Sequence, residues 1–217
     1  MTEESEQALR AKLVSVMQQM TERGMNRGTS GNASARFRDG LLITPSGIPP
    51  TQLEPEAIVY LDEQGRASRG ALKPSSEWQM HRDIYIGRPD AMGIVHCHSR
   101  YATTLACAGR PIPSMHYMVG VSGKSTVPLA PYALFGSPAL ARAVIDTLDG
   151  GLACLMANHG LIALGRDVDR ALVIAEQIEE QAAVYWGALL VGGPTLLSTA
   201  QMDEVFAQFE SYRGYRQ

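Results

Sequence analysis

Gly93-Ile94-Val95-His96-Cys97-His98 is a short apolar run closed by two histidines that flank a cysteine. It is answered far down the chain by Asn158-His159-Gly160. Three of the five histidines in the protein lie in these two segments. The run reads as a buried strand. Side chains two apart on a strand point to the same face. His96 and His98 therefore project together, and Cys97 projects the other way. A third imidazole brought in from a distant strand gives three nitrogens for a divalent metal and leaves room for a substrate. That pattern is catalytic more than structural.

The neighbouring segments read as further strands and helices. Leu152 to Ala157 and Leu161 to Leu164 are apolar strands joined across Asn158-His159-Gly160, which puts His159 at a tight turn. Ala33 to Phe37 and Leu41 to Thr44 read as a hairpin turning at Asp39-Gly40, and Ile58 to Leu61 as another short strand. A helix is predicted from about Glu4 to Arg23, where Leu9, Leu13, Val16, Met17 and Met20 recur at helical spacing and Gly24 stops it. Ser76, with Gln79 three positions on, opens a second helix through a capping box, and Gly87-Arg88-Pro89 ends it. Others follow over about Tyr101 to Ala108, from Ser137-Pro138 with proline at the tolerated first position, from Asp167 to about Val191, and from about Thr199 to Tyr212. Interleaved strands and helices predict an α/β fold in layers. The hairpin-like pairs argue against a purely parallel sheet.

Composition narrows the function classes. The 217 residues carry no repeat and no Pro/Gly-rich linker, so residues 1–217 are expected to form one domain. Hydrophobic content of 45% and charged content of 19% are those of a soluble globular protein. A net charge of -3 offers no basic footprint, so no nucleic-acid partner is expected. No run approaches the roughly eighteen apolar residues of a membrane span, and Met1 to Glu6 is acidic, so neither a membrane partner nor a signal peptide is expected. Cys97, Cys107 and Cys154 are odd in number and lack CxxC spacing, which points to a reduced, cytoplasmic setting and away from thiolate-held zinc.

A lone histidine beside an apolar strand is usually a satisfied core residue, but two adjacent buried imidazoles both need partners. The cupin reading of an H-x-H pair requires a glutamate within a few residues. Ser99-Arg100-Tyr101-Ala102 follows instead, so that reading fails. Glu77 and His81 stand four apart on one helical face, and by spacing alone either could reach the metal. Glu77 has an equally ordinary use in stabilising the first turn through the helix dipole. Gly28-Thr29-Ser30-Gly31-Asn32, Thr44-Pro45-Ser46-Gly47 and Pro74-Ser75-Ser76 are three loops of small, hydroxyl-bearing residues that suit an anion, although such residues also serve ordinary turns. Gly123-Lys124-Ser125 is not a nucleotide P-loop, because the first glycine of that motif would fall at Met118. The only lysines are Lys12, Lys73 and Lys124, none in an apolar segment suited to Schiff-base chemistry.

In this order, G-T-S-G-N (28–32), I-T-P-S-G (43–47), P-S-S-E-W (74–78), V-H-C-H-S (95–99) and N-H-G-L (158–161) closely resemble the class II aldolase/adducin family. His116-Tyr117-Met118, Ala130-Pro131-Tyr132, Phe135-Gly136, Phe209 and Tyr212 extend the likeness over nearly the whole chain. The resemblance implies a single three-layer α/β/α domain around a mainly antiparallel central sheet. It implies zinc, or another divalent transition metal, bound by Glu77, His96, His98 and His159, and gives His81 no metal role. Gly31, Asn32, Ser46, Gly47, Ser75 and Ser76 match positions that hold a substrate phosphate. Tyr117 matches a catalytic tyrosine acting across a subunit boundary of a homotetramer with intersubunit active sites, and Glu77, displaced from the metal by substrate, is the candidate for shuttling the proton at C3. Phe135 and Tyr212 fall where an aldehyde pocket is expected. Ser30 and Ser46 replace other small residues of the family pattern without removing phosphate-binding capacity, and the chain beyond Tyr212 departs further.

The activity so implied is reversible cleavage of a ketose 1-phosphate to dihydroxyacetone phosphate and a small aldehyde. L-fuculose 1-phosphate and a 5-deoxy- or 5-methylthio-pentulose 1-phosphate are the candidate substrates. The alternatives are 4-epimerisation of a pentulose 5-phosphate or decarboxylation of a sugar-acid phosphate, which share the metal and phosphate sites. A non-catalytic, adducin-like binding module is the rival from another class, and it would be expected to lack the metal ligands.

Overall fold

Gly93–Cys97 is the fourth strand of the sheet and is buried along its whole length. The computed structural model describes residues 5–211. The strands are β1 (Asn32–Phe37), β2 (Gly40–Ile43), β3 (Val59–Leu61), β4 (Gly93–Cys97), β5 (Leu129–Ala130), β6 (Ala153–Met156) and β7 (Gly160–Gly165). Among the described residues they form a seven-stranded sheet in the order β3-β2-β1-β4-β7-β6-β5. Every pairing is antiparallel except β5 with β6. The helices are α1 (Glu6–Glu22), α2 (Trp78–Gly87), α3 (Arg100–Cys107), α4 (Pro138–Leu148), α5 (Val168–Leu190) and α6 (Thr199–Ser211).

Alternation along β4 sorts the core into two layers. Ile94 joins Met80 and Ile84 of α2 and Leu140 and Val144 of α4 on one face. Val95 and Cys97 join Leu13 and Met17 of α1, Leu105 of α3 and Ile178 of α5 on the other. The result is the expected three-layer α/β/α arrangement around a mainly antiparallel sheet. Most of the apolar stripe of α1 lands as read: Leu13, Val16, Met17 and Met20 are buried, and Leu9 is partly buried against them. Gly93 pairs with Gly165 across β4 and β7. A methyl group on Gly93 would sit 2.2 Å from the Val168 nitrogen, so the sheet is bare where the first turn of α5 rests on it.

Two local expectations are corrected. The hairpin turns at Arg38-Asp39, not Asp39-Gly40: Phe37 pairs with Gly40, and Arg38 takes φ 52°. Gly40 serves a close approach instead, since a Cβ there would lie 1.9 Å from the Leu61 carbonyl oxygen of β3. The Ser76–Gln79 capping box does not form. Helix α2 starts at Trp78 behind Glu77, whose side chain makes no capping bond, while the Ser75 hydroxyl accepts from the Glu77 N–H at 3.3 Å. Strand β5 was not anticipated, because two residues are too few to show a period.

Candidate metal centre

His96 lies near the end of β4, opposite Ile162 of β7. Its Nδ1 is 2.9 Å from the Leu161 carbonyl oxygen. A carbonyl only accepts, so Nδ1 carries the proton and Nε2 turns a lone pair into the site. His98 follows the strand, and its backbone N–H donates to Asn26 Oδ1 at 3.1 Å. The start of α3 is pinned beside it, with Tyr101 and Ala102 N–H groups donating to the two carboxylate oxygens of Glu179, each at 2.9 Å. His159 arrives from the β6–β7 turn, where Asn158 takes φ 55°.

The three rings stand around one point. Their centroids are 4.8, 4.8 and 5.0 Å apart, with interplanar angles of 67–76°. Their ligand atoms lie within 4.8 Å of one another, and His96 Nε2 is 3.0 Å from His98 Nε2. Glu77 closes the cluster. Its Oε2 is 3.1 Å from His96 Nε2 and accepts from Asn32 Nδ2 at 2.9 Å. Its Oε1 is 3.2 Å from His159 Nε2 but has no hydrogen bond. His81, the other candidate by spacing, points elsewhere: its Nδ1 is 2.7 Å from the Ser34 hydroxyl.

These residues fit a divalent ion. His96 Nε2 faces a carboxylate oxygen at 3.1 Å, a pairing that needs a proton or a metal ion to supply positive charge between them. Two nitrogens bound tetrahedrally to zinc at about 2.0–2.1 Å would stand about 3.3 Å apart, close to the observed pair. A proton on His96 plays that part in the electrostatics of the residues alone. Burial raises the Glu77 carboxyl pKa, but the charge and hydrogen bond of His96, with His159 and Asn32, outweigh it and hold the group well below the usual carboxylate range. Burial disfavours protonated His96, yet the Glu77 carboxylate more than offsets this and raises its pKa. Burial, then the charge of His96, lowers His98 and His159 to about 4 each, so both offer neutral rings near neutrality.

The cluster forms part of the wall of a cavity of about 500 Å³. All six residues expected to hold a phosphate line it: Gly31, Asn32, Ser46, Gly47, Ser75 and Ser76. The loops are stitched together by Ser46 N–H to the Lys73 carbonyl at 2.9 Å and Ser75 N–H to the Thr44 carbonyl at 3.0 Å. Phe135 lines the same cavity; Tyr212 lies outside the described residues. Tyr132 and Asn158 also line it and were not anticipated as site residues, although both sit in motifs already singled out. Asn26 and Glu179, which hold the His98 segment, carried no sequence signal, because their partners are backbone groups distant in the chain. Tyr117 is not among the cavity's lining residues. It begins a 3₁₀ helix (Tyr117–Ser122), half exposed, against His116 and Phe209 at ring distances of 4.7 and 6.4 Å.

Among the described residues no helix is long and apolar enough to cross a membrane. The family model for the Class II Aldolase and Adducin N-terminal domain matches residues 11–186. A 5-methylthioribulose-1-phosphate/5-deoxyribulose-1-phosphate aldolase of Rhodospirillum rubrum is 44% identical over 94% of this chain and 92% of its own length. An L-fuculose phosphate aldolase of Haemophilus influenzae is 43% identical over 94% of each. The solved structure of an L-fuculose 1-phosphate aldolase superposes with a TM-score of 0.90 at 35% identity, covering 93% of this chain and 96% of that one.

Proposed function

The chain belongs to the class II aldolase and adducin family, and on that premise we propose that it is a metal-dependent aldolase. It reversibly cleaves a ketose 1-phosphate between C3 and C4 to dihydroxyacetone phosphate and a small aldehyde. The observation that carries this reading is the convergence of His96, His98, His159 and Glu77 beside a cavity lined by three small-residue loops. A carbon–carbon lyase of this kind needs both parts: an anion cradle for one end of the sugar and a Lewis acid for the carbonyl.

In this reading residues 1–217 act as one domain. Gly31, Asn32, Ser46, Gly47, Ser75 and Ser76 hold the phosphate, their small side chains letting an anion approach the backbone of the three loops closely. His96, His98, His159 and Glu77 hold the ion, and zinc suits three imidazoles and a carboxylate. Such an ion, when bound, supplies Lewis-acid stabilisation of the negative charge that develops on the C2 oxygen, worth several kcal/mol. The Glu77 carboxylate moves the proton at C3. As the C3–C4 bond breaks, its electron pair stays with the three-carbon half, and Tyr117 of a neighbouring copy exchanges a proton with the C4 oxygen, its phenolate accepting in cleavage and its hydroxyl donating in synthesis. Phe135 and Tyr212 border the departing aldehyde. The chain assembles as a homotetramer with its sites between copies, in the cytoplasm. That compartment suits the three free cysteines.

Two relatives of nearly equal identity are named for different sugar phosphates, so the aldehyde is set by the pocket and not by the family. The test is a coupled assay for dihydroxyacetone phosphate over a panel of ketose 1-phosphates varied at C5 and C6, before and after chelation. Release of the three-carbon phosphate, lost on chelation and restored by zinc, supports the proposal. Isomeric sugar phosphate without any three-carbon fragment would overturn it in favour of an epimerase.

A further inference from the structure

Glu77 precedes the first turn of α2, and its carboxylate does not cap that helix. Something else must hold it at the imidazoles. Strand β1 and helix α2 run side by side in the same direction, joined by a buried polar ladder. At the cavity end Asn32 Nδ2 donates to Glu77 Oε2 at 2.9 Å. Two residues along β1, the Ser34 hydroxyl lies 2.7 Å from His81 Nδ1 and 2.9 Å from the Tyr85 hydroxyl. Two further on, Arg36 donates to the carbonyls of Tyr85 at 2.6 Å and Arg88 at 3.0 Å. Asn32, Ser34, Glu77, His81 and Tyr85 are all buried.

The rungs match because the two periods match. Two residues of strand advance about 6.7 Å, and four residues of helix advance about 6 Å. Successive inward positions of β1 therefore meet Glu77, His81 and Tyr85 in turn. The protonation that leaves fewest buried groups unpaired has the Tyr85 O–H donating to Ser34 and the Ser34 O–H donating to His81 Nδ1.

Packing does not require this chain of polar groups. Met80 and Ile84 of the same helix already supply apolar contact with the sheet. Replacing both partners of a buried hydrogen bond by apolar groups of like shape is often neutral or stabilising. What directional bonds add is a unique arrangement, since an apolar contact tolerates rotation and sliding that a hydrogen-bonded chain does not.

We propose that Ser34, His81 and Tyr85 are positioning residues whose hydrogen-bonded chain fixes α2 on β1 and thereby presents the Glu77 carboxylate to the metal. This rests on the reading of Glu77 as the fourth ligand, so the test separates the two. The full-length protein is loaded with cobalt(II), and its visible absorption is compared with that of Glu77→Gln. An identical spectrum would remove the premise and the proposal with it. Given a difference, Ser34→Ala, Tyr85→Phe and His81→Leu should each shift the spectrum towards that of Glu77→Gln while circular dichroism shows native fold. Metal affinity from chelator competition should weaken roughly 10–100-fold, the range for partners that orient metal ligands. Turnover should fall by a similar factor with KM within about twofold, because the phosphate loops are untouched. His81→Asn, which keeps a hydrogen-bonding atom near the place of Nδ1, should recover much of what His81→Leu loses. If Ser34→Ala fails to fold, Tyr85→Phe, which removes a single oxygen, carries the test. Folded Tyr85→Phe and His81→Leu proteins with the unsubstituted spectrum and metal affinity would overturn the proposal.

Discussion

At His96 one ring does two jobs. Nδ1 donates to the Leu161 carbonyl and so fixes the tautomer, and Nε2 faces His98 and Glu77. His96→Ala should therefore lose bound metal and aldol cleavage together, read by elemental analysis and by the dihydroxyacetone phosphate assay. Cleavage that survives metal stripping would refute the scheme. The three thiols differ just as sharply. Burial pushes Cys97 and Cys154 up to about 12, which keeps both protonated and unreactive at mildly alkaline pH, whereas Cys107 is exposed. A thiol reagent should label Cys107 alone in the native protein and all three after denaturation, as peptide mapping would show. Rapid native labelling of Cys97 would mean that the β4–α5 layer opens more readily than its packing suggests.

The elements hold that cluster through a few close approaches. Gly93 has no side chain because the backbone of Val168 occupies the space, with Asp167 carbon and Val168 Cα at 2.3 and 2.4 Å from the missing Cβ. Gly93→Ala should push α5 off β4, the strand that carries His96, and cost about 1–3 kcal/mol or more as an overpacked contact with little freedom to relax. Denaturant unfolding would measure it, and an unchanged midpoint would show that α5 shifts freely. Long or strongly patterned elements were legible in sequence: α1 through its buried stripe, β4 through its apolar run, α4 through Ser137-Pro138, α5 through the Asp167 start. The errors arose where one residue type serves two ends. Gly40 looks like a turn glycine but exists for the Leu61 carbonyl, and Ser76 looks like a helix cap but borders the cavity. The metal cluster showed the same division. The histidine pair and the Asn-His-Gly turn were visible in local pattern. The choice between Glu77 and His81 was not, because both lie on one helical face and only the side chains of β1 separate them.

At the scale of the whole molecule, Tyr117 poses the remaining geometric question. It is half exposed, packed on His116 and Phe209, and absent from the cavity formed by its own chain. No reading of local sequence could place it, since the group it serves belongs to another copy in the proposed assembly. Apolar side chains are also exposed beyond the cavity, notably Trp186 and Leu190 at the end of α5 and Val191 just past it, a surface that would be covered by a neighbouring copy in the proposed assembly. Intersubunit complementation tests the arrangement directly. His96→Ala lacks the metal cluster but keeps the tyrosine, and Tyr117→Phe keeps the cluster but should lose about 100-fold in turnover with its metal intact. If the tyrosine acts across the boundary, co-expressing the two in equal amounts rebuilds a complete site wherever a Tyr117→Phe subunit takes its tyrosine from a His96→Ala neighbour. Random assembly of a closed ring gives roughly a quarter of all sites that composition. Activity of the mixed oligomer should therefore approach a quarter of the unsubstituted enzyme, far above either variant alone. If the tyrosine serves its own chain, no mixed site is complete, and the mixture should show only the average of the two separate variants.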